Sequence, residues 1–117
     1  MKQVIFGQAP SKSNSYRIIR KNGYGSLAKT TVIKAYENSF ILQCTKYKNK
    51  GISGLFELHI NFFNRTKAID LDNQLKVVLD CLQSCKAVKN DRNCVKIVAQ
   101  KFVDKTNPRA EFKIIEV

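Results

Sequence analysis

The most regular pattern in the chain is the alternation over residues 55–63. Phe56, Leu58, Ile60 and Phe62 point one way and Glu57, His59 and Asn61 the other, as in a half-buried strand. Helical spacing lies on both sides of it. Between Thr31 and Tyr47, Val32, Ala35, Tyr36, Ser39, Phe40 and Gln43 recur at three-and-four spacing, with Ile33, Ile41, Leu42 and Cys44 widening the face. Between Leu71 and Gln83, Leu71, Leu75, Val78, Leu79 and Leu82 fall within one arc, and Asp72, Lys76 and Asp80 form a polar row beside it. Further strands are expected at 2–6, Tyr16–Arg20, 94–103 and Glu111–Val117. Turn chemistry at 8–15, 22–26, Gly51/Gly54, 85–93 and 105–108 punctuates them. The turn between the last two strands predicts an antiparallel hairpin. The order β, β, α, β, α, β, β predicts an α+β fold with a small mixed or antiparallel sheet and two main helices, in a single domain over residues 1–117.

The composition is globular, with 44% hydrophobic residues, 5 Gly and 2 Pro in 117. No apolar run approaches the ~20 residues of a membrane helix. The opening apolar stretch is too short for a signal peptide. A cytoplasmic protein without a membrane partner is expected. A net charge of +12 points to a polyanion rather than a small-molecule substrate. Residues 1–66 hold 11 Lys/Arg against 2 Asp/Glu. Four of the 9 acids, Asp70, Asp72, Asp80 and Asp91, stand close together further on. Cys44, Cys81, Cys85 and Cys94 lack metal-ligand spacing and read as reduced thiols. His59, the only histidine, lies on the polar side of its strand beside no nucleophile motif, and reads as a solvated residue.

The chemistry is concentrated in Asp70-Leu71-Asp72-Asn73, Lys76 and Asp91. Aspartates two apart share a face if the backbone entering the helix is extended. With a third carboxylate from a later loop they form an oxygen ligand set for Mg²⁺, with Mn²⁺ as a substitute. On a basic protein the matching substrate is a nucleic-acid phosphodiester. Lys76, one turn after Asp72, would face charge developing on phosphorus. The same residues also support a structural reading, in which Asp70 or Asp72 caps the helix and Lys76 pairs Asp72 or Asp80 on its surface.

The run Asp70-Leu71-Asp72-Asn73-x-x-Lys76-x-x-x-Asp80-x-Leu82, followed by Asp91 and a Val-containing strand, resembles the RusA family of Holliday-junction resolvases. Pro10-Ser11, Asn14 and Tyr16-Arg17 near the start and Ile114-Ile115-Glu116 at the end are also similar, so the resemblance covers nearly the whole chain. It implies a small homodimeric α+β endonuclease, bacterial or phage-encoded, that needs Mg²⁺ and cuts four-way DNA junctions. Asp70, Asp72 and Asp91 would be the metal-binding acids, Lys76 the catalytic lysine and Asp80 structural. The family commonly shows two adjacent aspartates in the later loop. Here they are Asn90-Asp91, so the metal-binding acid is retained and the first acid is replaced by a neutral residue.

Candidate DNA contacts are Lys12, Asn14, Arg17, Arg20, Arg65, Lys67 and Asn73, with Lys21, Lys29 and Lys34 as further phosphate partners and Tyr16 and Tyr24 for base stacking. One acid cluster and no internal repeat imply a two-fold dimer on a two-fold junction. The 31–47 helix and the Phe56/Leu58/Ile60/Phe62 face are its expected contact surfaces. The competing readings are a nuclease on other branched DNA, a non-catalytic basic DNA-binding protein and an RNA-binding protein. Convergence of Asp70, Asp72 and Asp91, within one chain or across a dimer, separates the first from the others.

Overall fold

The structure is a computed structural model. It describes residues 1–11, 16–21, 24–29 and 31–117, and between 16 and 29 it describes the backbone pairing alone. In chain order the elements are β1 (Gln3–Phe6), β2 (Tyr16–Lys21), β3 (Tyr24–Lys29), α1 (Thr31–Gln43), β4 (Phe56–Asn64), α2 (Leu71–Ser84), β5 (Cys94–Val103) and β6 (Arg109–Glu116), with a 3-10 turn over Asp91–Asn93 before β5. Strands β2 and β3 form a separate antiparallel ladder. The other four make a mixed sheet in the order β1-β6-β4-β5. The fold is α+β as expected, with one strand more than the expected order: β3 begins inside the expected 22–26 turn and pairs with β2.

Strand β4 organises the sheet. Its residues alternate buried and half-buried from Phe56 to Asn64, so it carries one row of side chains into the core. It runs parallel to β5 on one side and antiparallel to β6 on the other. Two strands joined through a helix can lie parallel, because the helix carries the chain back to the start of the sheet; β4-α2-β5 is such a unit. The expected β5–β6 hairpin is therefore corrected. Residues 104–108 do reverse the chain, but β4 already occupies the inner flank of β5. The connection steps over the end of β4, about two strand spacings or ~9.5 Å, and β6 lands on its far side. A turn motif fixes that the chain reverses, not which strand it reverses against.

Helix α1 ends at Gln43, four residues earlier than its apolar pattern predicts. Cys44 still donates to Phe40 O (2.9 Å), but Gln43 turns its side chain to β1, accepting from Phe6 N (2.7 Å) and donating to Phe6 O (3.0 Å). Ile33, Tyr36 and Phe40 are its buried face, while Val32 and Leu42 are exposed. Phe40 stacks on Phe112 of β6 at 5.8 Å and Tyr47 does so at 5.7 Å. Burying each Phe contributes about 2–3 kcal/mol. Of the two surfaces expected to meet a second copy, the Phe56/Leu58/Ile60/Phe62 row is buried inside one chain, and the α1 face is so at Ile33, Tyr36 and Phe40, which leaves Val32 and Leu42 exposed. Much of the exposed apolar surface lies instead on β5, in Val95, Ile97, Val98, Phe102 and Val103.

The 104–108 connection is fastened by Arg109. Its guanidinium lies 3.9 Å over the Phe63 ring and donates to Asp104 Oδ2 (2.9 Å) and Glu111 Oε2 (2.7 Å). Arg109 holds the Asp104 carboxyl below its ordinary range, and Lys2 together with Arg109 does the same for Glu111. Carboxyls depressed by folding add stability above their unfolded pKa, about 4, and that stability is lost as pH falls through the lower folded values. Arg109→Gln should therefore flatten the decline of Tm with falling pH below about 4. Equal acid slopes in variant and parent would refute this role.

Candidate active site

The loop from β4 to α2 brings the acids to the end of the sheet. Asp70 is the residue before the helix, with extended backbone (φ −71°, ψ 130°), and its side chain makes no capping hydrogen bond. Its Oδ2 instead receives Asn73 Nδ2 at 3.4 Å. Asp72 already lies in the first helical turn, so the extended backbone expected for both aspartates holds for Asp70 alone. Both are exposed, beside unpaired N–H groups and the positive end of the helix dipole, which favour negative charge there. Lys76 follows one turn after Asp72 and is exposed. At 100° per residue the two side chains leave the helix on nearly the same side. None of the ion pairs among the described residues uses Lys76, Arg65 or Lys67.

A buried polar cluster, which periodicity did not reveal, holds this helix start in place. Gln74, outside the expected leucine arc, is fully buried. The buried arc is in fact Gln74, Val77, Val78, Cys81 and Leu82, and Leu71, Leu75 and Leu79 are only partly buried. Gln74 Nε2 donates to Asn64 Oδ1 (2.7 Å) and to Ala9 O (2.9 Å), and Asn64 Nδ2 donates back to Gln74 Oε1 (3.0 Å). Gln8 Nε2 also donates to Asn64 Oδ1 (2.8 Å), and its Oε1 accepts Arg65 N (2.8 Å). The end of β4, the start of α2 and residues 8–9 are thereby locked together. The one available signal was a Gln within an otherwise apolar arc. Gln74→Leu removes the acceptor of Asn64 Nδ2 and the side-chain donor to Ala9 O and should cost about 1–3 kcal/mol, read as a lower denaturation midpoint. An unchanged midpoint would show the cluster to be dispensable.

Asp91 lies at the other end of α2. Its N–H donates to Gln83 Oε1 (3.0 Å), and Asn90 caps the 3-10 turn by accepting Arg92 N (3.0 Å). The Asn90 side chain thus fills a structural place. Lys86, with φ 61°, ends the helix in left-handed conformation. From Asp72 to Gln83 the helix rises about 16 Å. Strand register agrees: β5 starts beside Phe56 and ends beside Asn64, so Asp91 and Asp70 flank opposite ends of the β4–β5 pair. The structure brings Asp70, Asp72, Asn73 and Lys76 together and leaves Asp91 apart from them within one chain. Among the described residues no three His, Cys, Asp or Glu side chains are grouped to hold a metal ion.

Arg65 and Lys67 are exposed on the loop leading to Asp70. Lys101 Nζ ties that loop to β5, donating to Lys67 O (3.0 Å) and Ile69 O (2.9 Å). Arg17, Arg20 and Tyr16 lie on β2, and Lys21, Tyr24 and Lys29 on β2 or β3, whose backbone alone is described; Lys12 and Asn14 lie outside the described residues. His59 Nε2 lies 3.0 Å from Glu57 Oε1 on the strand's half-buried face. The four cysteines are free thiols. No helix among the described residues is long and apolar enough to cross a membrane.

A basic α+β chain with two exposed aspartates and a lysine at a helix start has the surface of a protein that works on a polyanion. Residues 9–115 match the family model described as endodeoxyribonuclease RusA. The chain belongs to the RusA endodeoxyribonuclease family, which makes it a DNA endonuclease of the Holliday-junction resolvase kind. Comparison with curated proteins finds no match.

Proposed function

We propose that this chain resolves four-way DNA junctions by paired nicks in a reaction that needs a divalent metal, Mg²⁺ by preference, and that it works as a homodimer in DNA recombination and repair. The observation that carries this reading is Asp70. It occupies the capping position, yet its carboxylate forms no cap, so capping does not account for it. The donor chemistry fits a hard cation, which takes carboxylate oxygens and leaves positions for substrate phosphate and water. Asp70 and Asp72 would hold it, with Asp91 supplied by a second copy of the chain. When bound, such an ion neutralises phosphate charge and lowers the pKa of a coordinated water.

The protein's own groups do the rest. Asn73 keeps the Asp70 carboxylate turned toward the helix start. The Lys76 ammonium offsets negative charge that builds on the phosphoryl oxygens as the bond to the leaving oxygen breaks. Arg65 and Lys67 hold the flanking backbone without reading sequence. Lys12, Asn14, Arg17 and Arg20 are proposed as further contacts to the junction arms.

Incubation with synthetic four-way, flap and linear duplex DNA, with and without Mg²⁺, tests the reading. Symmetric nicks in the four-way substrate with Mg²⁺ alone are expected. Preferential cutting of the flap would favour the other-branched-DNA reading, and binding without cutting would favour a non-catalytic DNA-binding protein.

A further inference from the structure

The segment after α1 and the segment after α2 are zipped together at the far end of α2 from Asp70. Asn49 N donates to Cys85 O (3.0 Å), Gly51 N to Lys86 O (2.8 Å), Ile52 N to Ala87 O (3.0 Å) and Lys89 N to Ile52 O (2.9 Å). Ile52, Ala87 and Val88 are buried beneath these bonds, so the two segments hold each other in place. A groove of about 480 Å³ runs there, lined by Asn49, Gly51, Gln83, Lys86, Val88 and Lys89. Its surroundings carry one sign of charge. Residues 44–52 hold Lys46, Lys48 and Lys50, residues 83–90 hold Lys86 and Lys89, and neither stretch holds an acid. Lys46 is engaged elsewhere, donating to Lys2 O (2.7 Å). Lys86 and Lys89 are exposed, and their ammonium groups make no ion pair or hydrogen bond among the described residues.

Lys86 stands in this groove at a cost to the fold. It is the residue after the helix cap and has φ 61°, a left-handed conformation in which a side chain is strained and glycine is usual. Its N–H donates to Gln83 O (3.1 Å), and Ala87 N donates to Leu82 O (3.0 Å). Backbone groups thus already satisfy the end of α2, and the ammonium is not needed as a cap. A strained, exposed cation without a partner points to a ligand rather than to packing. Attraction to the negative end of the helix is the structural reason that remains. Its loss would be felt in stability and not in binding.

We propose that this groove holds the sugar-phosphate backbone of a DNA arm, as a contact surface separate from Arg65 and Lys67. The choice of partner rests on the DNA-endonuclease reading. Lys86 and Lys89 meet phosphates as point charges. Gln83, whose Oε1 accepts Asp91 N (3.0 Å), keeps its amide N–H groups for a phosphate oxygen. The groove is also on the right side of the helix. At 100° per residue Gln83 leaves α2 within about 20° of Asp72, and Lys76 lies between them in sequence. From Asp72 to Gln83 the helix rises about 16 Å, which is about five base pairs of duplex. A duplex arm running along α2 from the metal acids therefore reaches the groove within about half a helical turn.

The test is binding of the full chain to four-way and linear duplex DNA in EDTA, where affinity is read without cutting. Lys86→Gly and Lys89→Gln should each weaken binding by on the order of tenfold at about 0.1 M salt. Together they should flatten the slope of log affinity against log salt by about 1.8, or about 0.9 for each lost phosphate contact. Lys86→Gly also relieves the left-handed strain. Its thermal midpoint should hold or rise while its affinity falls, a combination that neither a dipole role nor a packing role produces. Lys113→Gln, an equal loss of charge at an exposed site on β6, should change affinity by less than about twofold, because distant charges are screened. An unchanged salt slope in the double variant would overturn the groove, as would a loss that Lys113→Gln reproduces. A parent that binds four-way DNA in EDTA but leaves it uncut with Mg²⁺ would instead count against the junction-nuclease reading and leave the groove standing.

Discussion

Asp70→Asn is expected to remove junction cleavage almost entirely while binding of four-way DNA is kept or strengthened. The substitution preserves shape and takes away one negative charge. Cleavage should fall by roughly 10²–10³-fold or more, the scale for deleting one preorganised electrostatic group. Binding should not fall, because a carboxylate repels phosphate and its neutralisation eases approach. Folding should also survive, since Asp70 makes no capping bond and its only described side-chain partner is Asn73 at 3.4 Å. Asp72→Asn should behave alike, with a small loss of helix stability from the missing charge in the first turn. Lys76→Ala should lower turnover more than affinity. Gel-shift and single-turnover cleavage on the same four-way substrate separate these terms. Loss of binding and cleavage together would indicate that the aspartates support the fold instead.

Why some of this could be read from the residues and some could not follows from the range of each signal. Periodicity is local, so β4 and α2 were legible almost to the residue: Phe56–Asn64 against an expected 55–63, Leu71–Ser84 against Leu71–Gln83. The acids stand out in the sequence because D-L-D-N-x-x-K falls within about two turns of helix. Strand order was not. Whether β6 joins β5 or β4 depends on what already occupies each edge, which no local pattern encodes. The Gln74–Asn64–Gln8 cluster was hidden for a related reason. Three separated polar residues satisfy one another only once β4, α2 and residues 8–9 have met, and a single buried Gln reads as surface in sequence. The same applies to Asp91. The sequence groups it with Asp70 and Asp72 as a carboxylate from a later loop, but the fourteen-residue α2 intervenes and holds it at the far end.

Mixing two inactive variants should restore cleavage. If Asp91 serves the neighbouring subunit's Asp70 and Asp72, a heterodimer of Asp70→Asn with Asp91→Asn contains two unequal sites. One combines both substitutions and is dead. The other combines the intact Asp70 of one subunit with the intact Asp91 of its partner and is competent. If each chain instead closed its own site, every subunit of the mixture would carry one lesion and nothing would be regained. Random exchange of equal amounts makes about half the dimers mixed, a consequence of C2 assembly. Activity should therefore return as single nicks, because a mixed dimer has one working site and a junction needs two cuts to resolve. Nicked but unresolved four-way DNA on denaturing and native gels would be the signature, against background cutting by either variant alone. Subunits must exchange for this to appear, and dilution followed by reconcentration before mixing on DNA allows that. A mixture as inactive as its components, with exchange verified by a mass-tagged subunit, would place Asp91 with the acids of its own chain, and α2 would then have to bend or the 85–93 loop refold for the site to close.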